Sequence, residues 1–225
     1  MVDKSKVHLQ SPTIDNIQAL FKTALLPGVA AQQKMAPQPR PGQPNRWDSP
    51  NNCRQAGVLL VLYKPTFTQE LHLVLTRRPE YPGVHSGQIS FPGGRREQGE
   101  TLMETALRET KEEVGILPET LQIVGSLTSL YIPPSNFCLY PYVAYSPVYP
   151  TFQPDNKEVA EVIETPLTLL LDPKNRHVEF WDLGEHGKRR VPFFNVFGHY
   201  VWGATAMILS EFLVILDAIL YKTGD

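Results

Sequence analysis

Gly93-Gly94-Arg95-Arg96-Glu97-Gln98-Gly99-Glu100 leads, through Thr101–Leu107, into Arg108-Glu109-Thr110-Lys111-Glu112-Glu113-Val114-Gly115-Ile116. The pattern predicts a helix over Thr101–Val114, stopped by Gly115 in the position of a left-handed cap. At about 100° per residue, Glu109, Glu112 and Glu113 fall within an arc of roughly 100°. Leu102, Met103, Ala106, Leu107 and Val114 form the neighbouring apolar arc. The three glutamates are therefore expected at the edge of the buried face, not on the fully solvated side.

Like charges this close repel. A pair at ~4 Å costs about 1 kcal/mol in water and more near a protein interior. A solvated acidic helix face would carry the same residues. The alternative is a divalent cation, which removes the repulsion, and hard oxygen ligands at this density suit Mg²⁺ or Mn²⁺. The surroundings favour the cation. The Gly93-Gly94 pair lets backbone approach a ligand closely. Arg108 stands four residues before Glu112 and eight after Glu100, so it can pair with carboxylates and hold the loop against the helix.

The full spacing is Gly94, five residues, Glu100, seven residues, Arg108-Glu109, two residues, Glu112-Glu113, one residue, Gly115, Ile116. At these positions the chain resembles the Nudix hydrolase family. Thr110 is the one departure, at a position where the family usually carries an aliphatic residue. The resemblance implies an α/β fold, an α/β/α sandwich around a mixed β-sheet. It also implies hydrolysis of a nucleoside diphosphate linked to another group. By the same resemblance Glu109, Glu112 and Glu113 are the catalytic residues and hold Mg²⁺ or Mn²⁺, with the Gly93 carbonyl as a further ligand. Glu109 is also a candidate for orienting water, Glu97 a weaker candidate near the metal, and Glu100 a structural partner of Arg108. The chemistry agrees: a divalent ion offsets the charge of a pyrophosphate and acidifies a bound water, and a carboxylate accepts the proton.

Upstream, Leu73-Val74-Leu75-Thr76-Arg77-Arg78-Pro79 and His85-Ser86-Gly87-Gln88-Ile89-Ser90-Phe91-Pro92-Gly93-Gly94 resemble the extra motif of the coenzyme A pyrophosphatase branch. So do Glu158–Leu167, Val191–Phe194 and Trp202–Ala206, which carries the resemblance over about residues 55–220. It implies cleavage of coenzyme A or an acyl-coenzyme A to 3′,5′-ADP and 4′-phosphopantetheine, with Arg77, Arg78, His85 and Gln88 as substrate contacts. Glu158 or Glu161 is a candidate for a further metal carboxylate, and Glu158 is carried in the ligand set. Trp202 and Phe193 are candidates to pack an adenine or pantetheine, with core packing as the stronger reading. The branch usually has an arginine where this chain has Gly83. That keeps a second reading, hydrolysis of another nucleotide derivative such as a dinucleotide, ADP-ribose or nucleotide sugar. A third is a non-catalytic nucleotide-binding module, which would have no need of all three glutamates.

The chain has 225 residues, 42% hydrophobic and 20% charged, with net charge −2. This composition excludes disorder of the whole chain and gives no basic surface for duplex nucleic acid. Ile14, Ile17, Leu20, Phe21 and Leu25 recur at helical spacing, and a stretch with Pro37, Pro39, Pro41, Pro44 and Pro50 follows. Residues 1–50 are read as an N-terminal extension and 51–225 as the hydrolase domain. The apolar run Tyr200–Leu220 is broken by Ser210, Glu211 and Asp217, so a buried helix is expected there instead of a membrane span. Cys53 and Cys138 are expected as small core residues, reduced and unpaired. A cytoplasmic enzyme is expected, with a small-molecule nucleotide partner, no nucleic acid and no membrane, and with a homodimer left open.

Overall fold

The structure, a computed structural model, describes residues 12–23, 25–38, 49–81, 86–182 and 187–220. In chain order its elements begin with α1 (Ile14–Thr23), α2 (Gly28–Gln32), β1 (Arg54–Tyr63), β2 (His72–Arg77), β3 (Ile89–Ser90) and β4 (Gly93–Arg95). The central part is α3 (Leu102–Val114), β5 (Gln122–Ser126), β6 (Leu130–Ile132), β7 (Phe137–Ser146) and β8 (Glu161–Pro166). The last are α4 (Leu167–Leu171), β9 (Arg176–Asp182), β10 (Lys188–Val196), β11 (His199–Trp202) and α5 (Gly203–Leu220).

Ala56–Tyr63 is apolar throughout, and β1 is buried on both faces as such a run requires. It pairs in parallel with β7 from Arg54↔Phe137 to Tyr63↔Ser146 and antiparallel with β2 and β4. The main sheet runs β3-β2-β1-β7-β5, with β8 on β2 and β6 on β7. It is a mixed sheet, as expected.

Strand alternation divides the core in two. Leu59, Val61, Tyr63 and Val74 face α3 through Ala106 and Val114. Leu60, Leu62, Leu73 and Leu75 face the other way, toward Leu209, Phe212, Leu213 and Leu216 of α5. The result is the α/β/α sandwich. A separate antiparallel sheet runs β11-β10-β9, with β9 and β10 paired from Arg176↔Phe194 to Asp182↔Lys188.

On the α3 side, helix and strand approach too closely for a side chain. A Cβ on Gly57 would lie 2.2 Å from the Leu102 carbonyl oxygen. On the other side, α5 is buried nearly all round, which explains a run with so little polar alternation. Among the described residues, no helix is long and apolar enough to cross a membrane.

Two features differ from the sequence expectation. Cys53 and Cys138 are not free thiols: they form a disulfide across the starts of β1 and β7, 85 residues apart in sequence. Parallel pairing of the two strands brings them together, and nothing local marks the pair. The described part of the N-terminal segment is also built into the core. Ile17, Leu20 and Met35 belong to the same buried cluster as α5.

That docking centres on Glu211 of α5, which is fully buried. Its carboxylate accepts hydrogen bonds from the Gln32 amide (2.9 Å), the Gly28 N–H (3.2 Å) and the Thr128 hydroxyl (2.7 Å). Glu211→Ala would leave these donors unsatisfied in the interior. The expected loss is about 2–4 kcal/mol, read from the urea midpoint at constant m-value. A change below about 0.5 kcal/mol would show that Glu211 does not hold the segment.

Candidate active site

The glutamate helix α3 is built from local sequence. Thr101 caps it, accepting from the Glu104 N–H at 3.2 Å, and Glu104 accepts in return from the Thr101 N–H at 2.7 Å. Gly115 ends it with φ of 77°, the left-handed cap expected. The apolar arc is narrower than its composition predicts: Met103 is exposed, while Thr105 and Thr110 are buried. Thr110 satisfies its hydroxyl on the Ala106 carbonyl at 2.7 Å, which is how the helix tolerates a polar residue at an aliphatic position. Thr105 donates to Glu100 at 2.9 Å and so serves the loop.

Arg108 gathers the carboxylates. Its guanidinium reaches Glu100 at 2.6 Å, Glu109 at 2.9 Å and Glu112 at 2.8 Å, and donates to the Arg95 carbonyl at 3.2 Å. The fork holds Glu100 down at about 2, so this pair stays ionised across the physiological range. Loop and helix are thereby tied together through Glu100 and Arg108. Glu97 is exposed, and its backbone N–H donates to the Glu100 carboxylate at 3.1 Å.

Gly93 and Gly94 lie directly beneath the glutamates. The Gly93 N–H donates to Glu113 at 3.2 Å. A Cβ on Gly94 would fall 2.4 Å from the Glu109 carboxyl carbon, so the side chain occupies the space that only glycine leaves. Glu113 is buried, Glu109 nearly so, and Glu112 is exposed. Burial pushes Glu113 up to about 7, against the opposing pull of the Gly93 N–H and Arg78. Burial also raises Glu109, less effectively because Arg108 opposes it. Glu158 faces the same two carboxylates and adds its charge to both. Its loop is tied to the end of α3 by the Asp155 N–H, which donates to the Glu113 carbonyl at 3.0 Å.

Among the described residues, no three carboxylate, imidazole or thiolate groups are gathered closely enough to hold a metal as placed. Arg108 stands as the cation between Glu109 and Glu112. The donor set nevertheless fits a hard divalent ion. It is all oxygen, it is crowded with like charge, and burial makes two of its members resist ionisation.

The substrate residues separate. Arg78 interacts electrostatically with Glu113 on the α3 side. Arg77 is on the opposite face, paired with Glu161 at 2.8 Å, and Glu161 reaches His199 at 3.6 Å. Glu161, the alternative metal carboxylate, is thus directed away from the cluster. Gln88 accepts the Arg78 N–H on its carbonyl at 3.0 Å. His85 and Gly83 lie outside the described residues. His199 has no sequence motif around it, and its contact with Glu161 marks it in the structure.

A capped helix of clustered carboxylates, clasped to a glycine strand on one side of a mixed sheet, defines a pyrophosphohydrolase of the α/β/α class. The family model described as NUDIX domain matches residues 54–181, and the chain belongs to the Nudix hydrolase family, enzymes that hydrolyse pyrophosphate bonds and generally use divalent metal ions. An uncharacterized Nudix hydrolase NudL of Pectobacterium atrosepticum is 37% identical over 163 residues, covering 70% of this chain and 80% of that protein. The mitochondrial coenzyme A diphosphatase NUDT8 of Homo sapiens is 33% identical over 166 residues, covering 73% of this chain and 66% of that protein. A crystal structure of a Nudix hydrolase from M. smegmatis, RenU, aligns with a TM-score of 0.50 at 14% identity. It covers 76% of this chain and 88% of that one, a likeness of fold.

The titration of Glu113 has a stability consequence. Its carboxyl keeps a proton to about pH 7 when folded, against 4.5 for an ordinary glutamate. The folded state therefore binds more protons between those values. The stabilisation is fully present below pH 4.5 and is lost as pH rises through 7. In chelator, Glu113→Gln is expected to raise stability at pH 8 by on the order of 2–3 kcal/mol relative to its effect at pH 5. Urea unfolding at the two pH values checks this. An equal effect at both would place Glu113 in water.

Proposed function

We propose that the chain is a coenzyme A diphosphatase. It would hydrolyse the diphosphate of coenzyme A or an acyl-coenzyme A to 3′,5′-ADP and 4′-phosphopantetheine, or its acyl derivative. The observation that carries this reading is the pair Arg77-Arg78 at the end of β2, within the segment that resembles the coenzyme A branch. The two arginines serve opposite faces of the sheet, Arg78 beside Glu113 and Arg77 beside Glu161. One fixed cation can then meet the diphosphate and another a second phosphate. Similarity to the human mitochondrial coenzyme A diphosphatase supports the same reading.

In this proposal Glu109, Glu112, Glu113, Glu158 and the Gly93 carbonyl hold Mg²⁺ or Mn²⁺. The bound ion would supply charge compensation for the diphosphate and acidify a water. The protein's own residues do the rest. Arg108 keeps Glu109 and Glu112 together on one side of the helix. Gly94 leaves room for the Glu109 carboxylate, which accepts the proton of the attacking water. Arg78 orients the diphosphate against this group. Glu112→Gln is expected to lower turnover at saturating Mg²⁺ by at least ~10²-fold with little change in unfolding midpoint. Activity within twofold of wild type would remove Glu112 from the site.

The substrate reading is tested with coenzyme A, ADP-ribose, NADH and a diadenosine polyphosphate in metal and in chelator. Metal-dependent release from coenzyme A above the others is expected. Arg78→Ala is expected to reduce kcat/KM about equally for coenzyme A and 3′-dephospho-coenzyme A. Arg77→Ala is expected to raise KM for coenzyme A selectively, by roughly 10-fold or more for loss of a charge-assisted contact. Equal effects of Arg77→Ala on both substrates would remove it from 3′-phosphate recognition.

A further inference from the structure

The second sheet turns Phe194, Val196 and Val201 into the main core. Its opposite face carries aromatic rings: Trp181 lies 5.5 Å from Trp202 and 5.8 Å from Tyr200, with Phe193 packed 4.9 Å from Tyr200. Phe193 is buried beneath the group, while Tyr200 is 52% exposed. Between these rings and the start of β3 is a cavity of about 350 Å³, lined by Ser86, Gln88, Trp181, His199, Tyr200 and Trp202 among others. The Thr205 hydroxyl donates to the Ile89 carbonyl at 2.9 Å and fixes β3 against the start of α5.

Among the described residues the lining includes no lysine or arginine, which does not suit a phosphate. Nor is it a greasy slot for an acyl chain, since a hydroxyl, an amide and an imidazole stand among the rings. A planar heteroaromatic group uses both features, its faces for stacking and its edge for hydrogen bonds. The cavity is also next to the catalytic strand. Ile89, which lines it, is four residues before Gly93, which bounds their separation to about 14 Å. His199 leads from the cavity through Glu161 to Arg77, at the end of the strand that also places Arg78 beside Glu113.

We propose that this cavity receives the purine base of the nucleotide half of the substrate, stacked on Tyr200 and Trp181, so that the nucleotide crosses the end of β2 toward α3. The inference rests on the diphosphatase reading only for which part of the ligand reaches the glutamates. Phosphopantetheine then leaves on the side away from the second sheet, and Arg77 is the cation joined to the cavity through Glu161 and His199.

The test uses ADP and inorganic pyrophosphate as probes, titrated calorimetrically with Mg²⁺ into wild type, Tyr200→Ala and Tyr200→Phe. Wild type is expected to bind ADP more tightly than pyrophosphate. Tyr200→Ala is expected to weaken ADP by roughly 10-fold, on the scale of one lost base–aromatic stack, and to leave pyrophosphate unchanged. Tyr200→Phe is expected to retain the wild-type affinity, because the ring stacks. Wild-type binding of ADP no tighter than pyrophosphate, an unchanged ADP affinity in Tyr200→Ala, or equal weakening of both probes overturns the base site. So does a Tyr200→Phe variant as weak as Tyr200→Ala. If coenzyme A is not hydrolysed while Tyr200→Ala still separates the two probes, the coenzyme A reading falls and the base site stands.

Discussion

Glu109 and Glu113 are held out of water against the backbone of Gly93 and Gly94, within reach of a third acidic group, Glu158. Buried like charges are costly, and most of the local architecture bears on that cost. The capping box and the left-handed Gly115 fix both ends of α3. Gly57 lets the helix lie directly on β1. Arg108 supplies positive charge to Glu109 and Glu112 while anchoring the loop through Glu100. Glu113 has the weakest compensation, and it is the one whose proton is held to about pH 7. A site strained in this sense is suited to a divalent ion, because the ion's binding relieves what folding imposed.

The sheet distributes chemistry between its two faces by simple alternation. Consecutive arginines at the end of β2 separate, Arg78 to the glutamates and Arg77 to Glu161 and His199. The short β3 and β4 connect the two sides, since Ile89 borders the aromatic cavity and Gly93 touches Glu113.

The face remote from α3 is organised around a different buried charge. Glu211 is satisfied entirely by groups from the N-terminal segment and from Thr128. Such a network contributes specificity of docking more than net stability, because its gains are offset by desolvation. It joins α5 to residues 28–32, and the apolar side chains of α1 then complete the layer. The disulfide between Cys53 and Cys138 adds a covalent tie at the start of the central parallel pair.

Helix α3, its Gly115 cap and the arc of its glutamates were legible in the sequence, because they depend on residues within one or two turns of each other. The Nudix spacing from Gly94 to Ile116 was legible for the same reason, as was the buried character of β1 and α5. Other features needed the tertiary structure. The pairing of Cys53 with Cys138, the burial of Ile17 against α5 and the approach of Glu158 to Glu113 join segments far apart in the chain. Their partners are chosen by strand register and layer packing, which leave no local periodic mark. The division between Arg77 and Arg78 shows the boundary most plainly. Strand alternation sends neighbours to opposite faces, but only the packed sheet decides that one face holds carboxylates on a helix and the other an aromatic cavity.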